Sequence, residues 1–208
     1  MGSYVLAIDI ERSGATNQYQ TIAIGAAVVD QDFNLCDTLF VTNYRNESTI
    51  FEPRCWDEFW SKHQDILAEL EYTGTLSMDE QECNMIRCLM EFRKKWETTA
   101  QQEGKKYYFI SDNPIYDGSF VNELINRHLS DDFMPIPYNA GDKKYSSFFD
   151  VHSMQRGYLR HADPSFDSNW GLFEKMTNFI NAPAMTMTHD HHPAHDAYTI
   201  AYEFQTMM

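Results

Sequence analysis

The sequence predicts one α/β domain in which helices flank a mixed sheet, and three observations support this fold class. A short apolar run, Val5 to Ile8, leads directly into Asp9, which is typical of a central strand covered on both faces. A second apolar run, residues 21–29, follows a polar turn too short for a parallel crossover, so these two strands should be antiparallel. Later stretches carry apolar residues at helical spacing. With 208 residues and 43% hydrophobic content, the chain can form one core, and we expect a single domain over residues 1–208.

Five predicted strands account for the sheet. The first three should form an antiparallel meander, and the third should be an outer strand because apolar and polar residues alternate along it. The fourth leads into a turn that contains Asp, Asn and Pro, and the fifth runs into a helix. The predicted strands are residues 4–11, 21–29, 37–44, 106–111 and 145–151.

The predicted helices are marked by apolar spacing and by start and stop signals. Residues 53–72 have helical spacing and precede Gly74, a plausible stop. Ser77 and Glu80 have the spacing of a capping box, which predicts a helix that ends near residues 96–100. Further helices are predicted from Asp117, from residue 151, over residues 170–180, and over residues 194–207 with Pro193 in the first turn.

Composition limits the classes of function. The formal net charge of −15 argues against tight, non-specific binding to long nucleic acid, because such binding depends on Lys and Arg neutralising phosphates. It still permits a phosphodiester substrate that is bridged by metal ions. The four cysteines have no C-x-x-C spacing, and the sequence contains neither a signal segment nor a membrane-length apolar run. We therefore expect a cytoplasmic, reducing environment.

Two acidic residues mark the end of the first strand. Asp9 and Glu11 are two positions apart, so their side chains should project from the same side of the sheet. Two neighbouring carboxylates repel each other, and binding of a divalent cation usually relieves this repulsion. The alternative is an exposed acidic pair without a ligand.

A histidine-rich turn precedes the last predicted helix. Four of the eight histidines lie within seven positions, from His189 to His195. His191 lies just before the helix and Asp196 one turn inside it, so an imidazole and a carboxylate could converge there as a base and a metal ligand. Two alternatives are a His cluster without a role and a zinc site with His191 and His195 as i, i+4 ligands.

Three motifs in this order resemble the DnaQ-like, DEDDh 3′–5′ exonuclease superfamily, which includes RNase T, oligoribonuclease and polymerase proofreading subunits. The motifs are Asp9-Ile-Glu11 on the first strand, Asn113-Pro-Ile-Tyr-Asp117 at a helix start, and His191 followed by Asp196. The matching motifs extend over nearly the whole chain. The sequence departs from the family pattern at Arg12-Ser13-Gly14, where Thr-Thr-Gly is usual, and at Pro193, where Ala is usual.

The resemblance implies an RNase H-like fold, with a mixed five-stranded sheet and flanking helices. It implies a metal-dependent 3′–5′ exonuclease that hydrolyses the 3′ ends of single-stranded DNA or RNA to nucleoside 5′-monophosphates. The metal ligands and catalytic residues would be Asp9, Glu11, Asp117 and Asp196 on two Mg²⁺ or Mn²⁺ ions, with His191 as the base. Many relatives are homodimers, so a homodimer is possible.

Two other functions stay open at this point. One is a different metallohydrolase that uses the cluster from His189 to His195. The other is a binding module that retains the nuclease fold without catalysis. Asp117 also has a structural alternative, as the N-cap of the helix that follows it.

Overall fold

A computed structural model describes residues 2–129, 148–162 and 190–208 of the chain. The predicted helix over residues 170–180, the first residues of the predicted fifth strand, and His189 lie outside these described residues. No helix in the described part of the chain combines the length and the apolar character needed to cross a membrane.

The sheet has the order β3-β2-β1-β4-β5, with β1 at its centre. Strands β1, β2 and β3 are antiparallel, as predicted, whereas β4 runs parallel to β1 and β5 runs parallel to β4. Four strands of six to ten residues form the body of this mixed sheet, and β5 adds three residues at the edge. The bounds are β1 Ser3–Arg12, β2 Thr21–Asp30, β3 Leu35–Thr42, β4 Lys106–Ser111 and β5 Phe148–Asp150. The mixed α/β architecture is compatible with an RNase H-like fold.

Six α-helices are present in the described residues, and their bounds are α1 Pro53–Glu58, α2 Gln64–Glu69, α3 Met78–Glu103, α4 Pro114–His128, α5 Val151–Ala162 and α6 Pro193–Thr206. The capping box predicted for α3 is confirmed, with the Ser77 and Glu80 side chains each bonded to the other residue's backbone N–H. The helix extends beyond the predicted end because Gly104, at φ +66°, provides a left-handed C-cap.

The continuous helix predicted over residues 53–72 is wrong. The stretch forms α1, a 3₁₀ turn over Trp60–Lys62 and α2, with non-helical backbone at Phe59 and His63. Trp60 is completely buried, and its indole N–H donates a hydrogen bond of 2.9 Å to the Arg12 carbonyl at the end of β1. This anchor belongs to the tertiary structure, so local helical spacing does not reveal it.

The predicted start of α4 at Asp117 is also wrong. The helix begins at Pro114, and the N-cap is Asn113, whose side chain accepts a hydrogen bond from the Tyr116 N–H. Pro114 fits this position because the first helical residue needs no hydrogen-bonded N–H. Asp117 therefore lies one turn inside the helix, and its side chain is not needed as a cap.

The two faces of the sheet are covered by different helices. On one face, Leu6, Ile8 and Ile10 of β1 pack in a cluster with residues of α3 and α4. On the other face, Val5 and Ala7 pack in a cluster with residues of α6. Because side chains alternate along a strand, the side chains that follow Val5 and Ala7 at every second position also face the α6 side.

Candidate metal centre

Strand β1 directs Asp9 and Glu11 to the α6 side of the sheet, in line with Val5 and Ala7. In the β1–β2 ladder, Asp9 lies opposite Gly25. A β-carbon added at Gly25 would lie 2.0 Å from the carbonyl carbon of Pro193, so the missing side chain allows the start of α6 to approach the sheet at this point. The close approach brings the first turn of α6 next to the two acidic residues.

Helix α4 contributes Asp117 from its first turn. The side chain is only 2% exposed, and the Ser111 hydroxyl donates a hydrogen bond to its carboxylate. The same hydroxyl accepts a hydrogen bond of 2.9 Å from the Asn113 N–H. Ser111 is the last residue of β4, so the orientation of the Asp117 carboxylate is fixed by the strand that precedes its helix.

Helix α6 contributes Asp196, which is 1% exposed. Its two carboxylate oxygens accept hydrogen bonds from the backbone N–H groups of Asp190, at 3.0 Å, and His191, at 3.1 Å. These bonds hold the turn before the helix in a tight conformation, with His191 at φ +67°, in the left-handed region. The turn places the His191 side chain beside the carboxylates.

The structure brings all five sequence-predicted site residues together around one cavity of about 190 Å³. Two groups of potential ligands line this cavity, and within each group the ligand atoms lie within 4.8 Å of one another. The first group is Glu11, His191 and Asp196, and the second is Asp9, Asp112 and Asp117.

The other described histidines of the turn lie elsewhere. The His195 Nδ1 atom is 3.0 Å from Asp190 Oδ2, and the rings of His192 and His195 are 4.3 Å apart. The His192 ring also contacts the Phe40 ring, on β3, at 4.5 Å between centroids. Neither His192 nor His195 lines the cavity, so the structure does not bring His191 and His195 together there as a zinc pair.

Sequence reasoning missed several residues that surround the site. The His191 ring packs against the rings of Phe59 and His63, with centroids 4.7 and 4.8 Å apart. No sequence signal identified Phe59 and His63, because both lie at breaks of a helix that was expected to be continuous. Asp112 directly follows β4, but this position identifies a site residue only once β4 is known to run parallel to β1, which the sequence does not reveal.

Arg12, which departs from the family pattern, joins two elements of the site. Its guanidinium donates hydrogen bonds to the Thr21 hydroxyl at 3.2 Å and the Thr16 carbonyl at 2.9 Å. Its central carbon lies 3.4 Å from the centroid of the Phe120 ring, on α4. Arg12 therefore ties the β1–β2 turn to the helix that carries Asp117, and it does not line the cavity.

No known family profile and no curated protein matches the sequence. Among solved structures, the chain is similar to cell-death related nuclease 4 (CRN-4), with a TM-score of 0.56 and 16% sequence identity. The aligned region covers 98% of this chain and 63% of the nuclease chain, so this chain spans slightly less than two thirds of that protein. At this level of identity, the similarity shows the fold alone.

The carboxylates of the site repel one another electrostatically. Burial raises the pKa of Asp9 well above its usual value, and the neighbouring charges of Glu11 and Asp117 raise it further. Burial and the charge of Asp196 likewise raise the pKa of Glu11. Without a cation, these groups retain protons at a pH where ordinary carboxylates have lost them.

The residues present fit a divalent cation. The Asp9 Oδ2 atom is buried and has no hydrogen-bond partner among the described residues, so it is an acceptor that lacks a donor. No lysine or arginine of the described residues lines the cavity. Carboxylate oxygens predominate among the potential ligands, and such oxygens favour Mg²⁺ or Mn²⁺ over zinc.

Proposed function

We propose that this protein is a metal-dependent 3′–5′ exonuclease that hydrolyses single-stranded nucleic acid ends to nucleoside 5′-monophosphates. The observation that carries the proposal is the convergence of Asp9, Glu11, Asp117 and Asp196 with His191 on one cavity, although these residues come from three distant parts of the chain. The similarity of the fold to a nuclease and the order of the three motifs support the same function.

The four carboxylates would hold two Mg²⁺ or Mn²⁺ ions. When bound, such ions neutralise charge on a scissile phosphate and make a water molecule more acidic. Asp117 is oriented by Ser111, and Asp196 by two backbone N–H groups, so both carboxylates are held in place before any ligand arrives. Because these carboxylates are already oriented, the site needs less reorganisation when the ions bind.

His191 would accept the proton of the attacking water. An imidazole suits this role because its ordinary pKa, about 6.5, is close to neutral pH. Its left-handed backbone and the packing against Phe59 restrict the ring to the side of Glu11 and Asp196.

The charge of the molecule bears on the substrate. The net charge of −15 and a cavity lined mainly by acidic and aromatic residues offer little attraction for a long duplex. The resemblance of the three motifs to those of 3′–5′ exonucleases favours the end of a strand over an internal segment. We therefore propose single-stranded 3′ ends as the substrate.

The test is degradation of 5′-labelled single-stranded DNA and RNA oligonucleotides of the same sequence, with Mg²⁺, with Mn²⁺ and with EDTA. We expect a ladder of products that shortens from the 3′ end and disappears with EDTA. The Asp9→Asn variant should be inactive, whereas Asp57→Asn, which changes an exposed acid on α1, should be fully active. Cleavage that persists in EDTA or in Asp9→Asn would overturn the proposal.

A further inference from the structure

We propose that Asp112 is a fifth carboxylate of this centre and holds one of the cations together with Asp9 and Asp117; the inference rests on the proposed function. The four acids of the family pattern do not include this position. Asp112 would make the two cation sites chemically different, one with three carboxylates and the other with Glu11, Asp196 and the His191 imidazole nearby.

The position of Asp112 follows from the strand register. In the parallel β1–β4 ladder, Ala7 lies opposite Ile110. Two residues further along each strand come Asp9 and Asp112, so the chain leaves β4 with Asp112 beside Asp9. Ligand oxygens of Asp9, Asp112 and Asp117 lie within 4.8 Å of one another.

Asp112 has no other role in the turn that it occupies. Its neighbours hold the β4–α4 connection, Ser111 through the Asp117 carboxylate and Asn113 as the N-cap of α4. By contrast, no hydrogen bond or ion pair within the described residues reaches the Asp112 carboxylate, which is half-buried and lines the cavity. Its oxygens are therefore free to bind a cation in the cavity.

A second observation points to a ligand at the same place. The buried Oδ2 atom of Asp9 lacks a donor among the described residues, and the group of potential ligands that contains Asp9 is the one that contains Asp112. Asp112 also adds to the repulsion, because its charge raises the pKa of Asp117 and that of Asp9. With Asp112 included, five carboxylates face two divalent cations.

The experiment measures metal binding without nucleic acid. Calorimetric titration of the Asp112→Asn variant with Mn²⁺ should show that one of the two ions binds at least about tenfold more weakly than in the wild type. In the metal-free state, the same variant should have a higher Tm than the wild type, because one repelling charge is gone. Its gain in Tm on adding Mn²⁺ should be smaller.

The Asp57→Asn variant is the matched control, since it makes the same change of charge at an exposed position outside the cavity. It should bind Mn²⁺ as the wild type does. A metal-free Asp112→Asn protein that is less stable than the wild type would indicate a structural role and overturn the inference.

The result also distinguishes this inference from the proposed function. If Asp9→Asn loses Mn²⁺ binding while Asp112→Asn binds Mn²⁺ like the wild type, the inference on Asp112 is wrong and the proposed function stands. If the wild-type protein itself does not bind Mn²⁺, both are overturned.

Discussion

His191 differs from its neighbouring histidines in backbone conformation and in surroundings. Its φ of +67° is rare for a residue with a side chain, and the two hydrogen bonds to Asp196 from the turn maintain this conformation. His195, in contrast, is paired with Asp190, one residue before His191. His191 therefore lines the cavity, whereas the His195 side chain pairs within the turn itself.

The first prediction compares alanine substitutions at these histidines. His191→Ala should lower turnover by roughly 10²- to 10⁴-fold, which is the usual contribution of a general base. His192→Ala and His195→Ala should cost much less, since neither side chain lines the cavity. The measurement is single-turnover cleavage of a 3′-terminal nucleotide at saturating metal.

The pH dependence of the same reaction provides the control. The acidic limb that reports deprotonation of the base should disappear in His191→Ala and persist in His195→Ala. If His195→Ala proves to be the most damaging of the three substitutions, the assignment of His191 as the base is wrong.

At the scale of elements, the site depends on the contact between β2 and α6. The start of α6 crosses the sheet at Gly25, and the backbone of Pro193 occupies the space of the missing side chain. Gly25 is also the partner of Asp9 in the β1–β2 ladder. The distance between the acids of β1 and Asp196 of α6 is therefore set at a glycine that lies outside the three sequence motifs.

The second prediction is that Gly25→Ala will displace the start of α6. A methyl group 2.0 Å from backbone atoms has to be relieved by movement of the helix, because backbone cannot rotate away as a side chain does. We expect weaker Mn²⁺ binding, lower turnover and a loss of stability of about 1–3 kcal/mol. Calorimetric titration, the cleavage assay and denaturant unfolding measure these effects.

Gly2→Ala is the matched control, because a methyl group there would meet the Gln31 side chain, whose flexible end can move. It should bind Mn²⁺ as the wild type does. Normal metal binding by Gly25→Ala would contradict the role assigned to this contact.

The elements also show which parts of the structure were predictable from sequence. Strands β1 and β2 are predictable because continuous apolar runs reflect burial on both faces, and the α3 capping box is a local signal. The breaks at Phe59 and His63 were not found, since they accompany the burial of Trp60 against the end of β1. Local spacing does not encode a contact made 48 residues away.

The same distinction applies to the site. Motif order and spacing predict Asp9, Glu11, Asp117, Asp196 and His191 as site residues, and all five line one cavity in the structure. Asp112 required the parallel β1–β4 register, which the sequence did not reveal. Phe59 and His63 required the fold of a distant segment, and their contacts with His191 appear only in three dimensions.

At the scale of the whole molecule, buried acids make stability depend on pH. Besides the cavity carboxylates, Glu203 on α6 is only 8% exposed, and its carboxylate accepts a hydrogen bond of 2.5 Å from Gln155 on α5. Burial raises the Glu203 pKa to about 7, with smaller contributions from Asp112 and Asp196. Asp9, Glu11 and Asp117 have raised pKa values as well.

The sign of the effect follows from proton linkage. A carboxylate whose pKa is higher in the folded state binds more protons there, so its contribution to stability is complete below the unfolded pKa and decreases as pH rises. For Glu203, the free energy of unfolding decreases between about pH 4.5 and about pH 7, and the total decrease is about 3 kcal/mol. The contribution of the cavity acids to the stability of the folded protein also decreases as pH rises above their ordinary pKa values.

The third prediction is that the Tm of the metal-free protein falls between about pH 4.5 and pH 8, and that Mg²⁺ or Mn²⁺ reverses much of this fall. The cation replaces protons on the cavity acids, so its effect should grow as pH rises. At about one hundred times Kd, the gain is about 2.7 kcal/mol, or roughly 5–10 °C in Tm. Thermal melts with EDTA and with metal, across this pH range, give the measurement.

Glu203→Gln separates the two sources of the pH dependence. Glu203 does not line the cavity, so the variant should lose part of the fall in Tm while retaining the full stabilisation by metal. In contrast, Asp9→Asn should be stabilised little by metal at any pH. A wild-type Tm that rises with pH in EDTA, or that is indifferent to metal at pH 8, would contradict the electrostatic account of the cavity, because repelling buried carboxylates require the reverse in both cases.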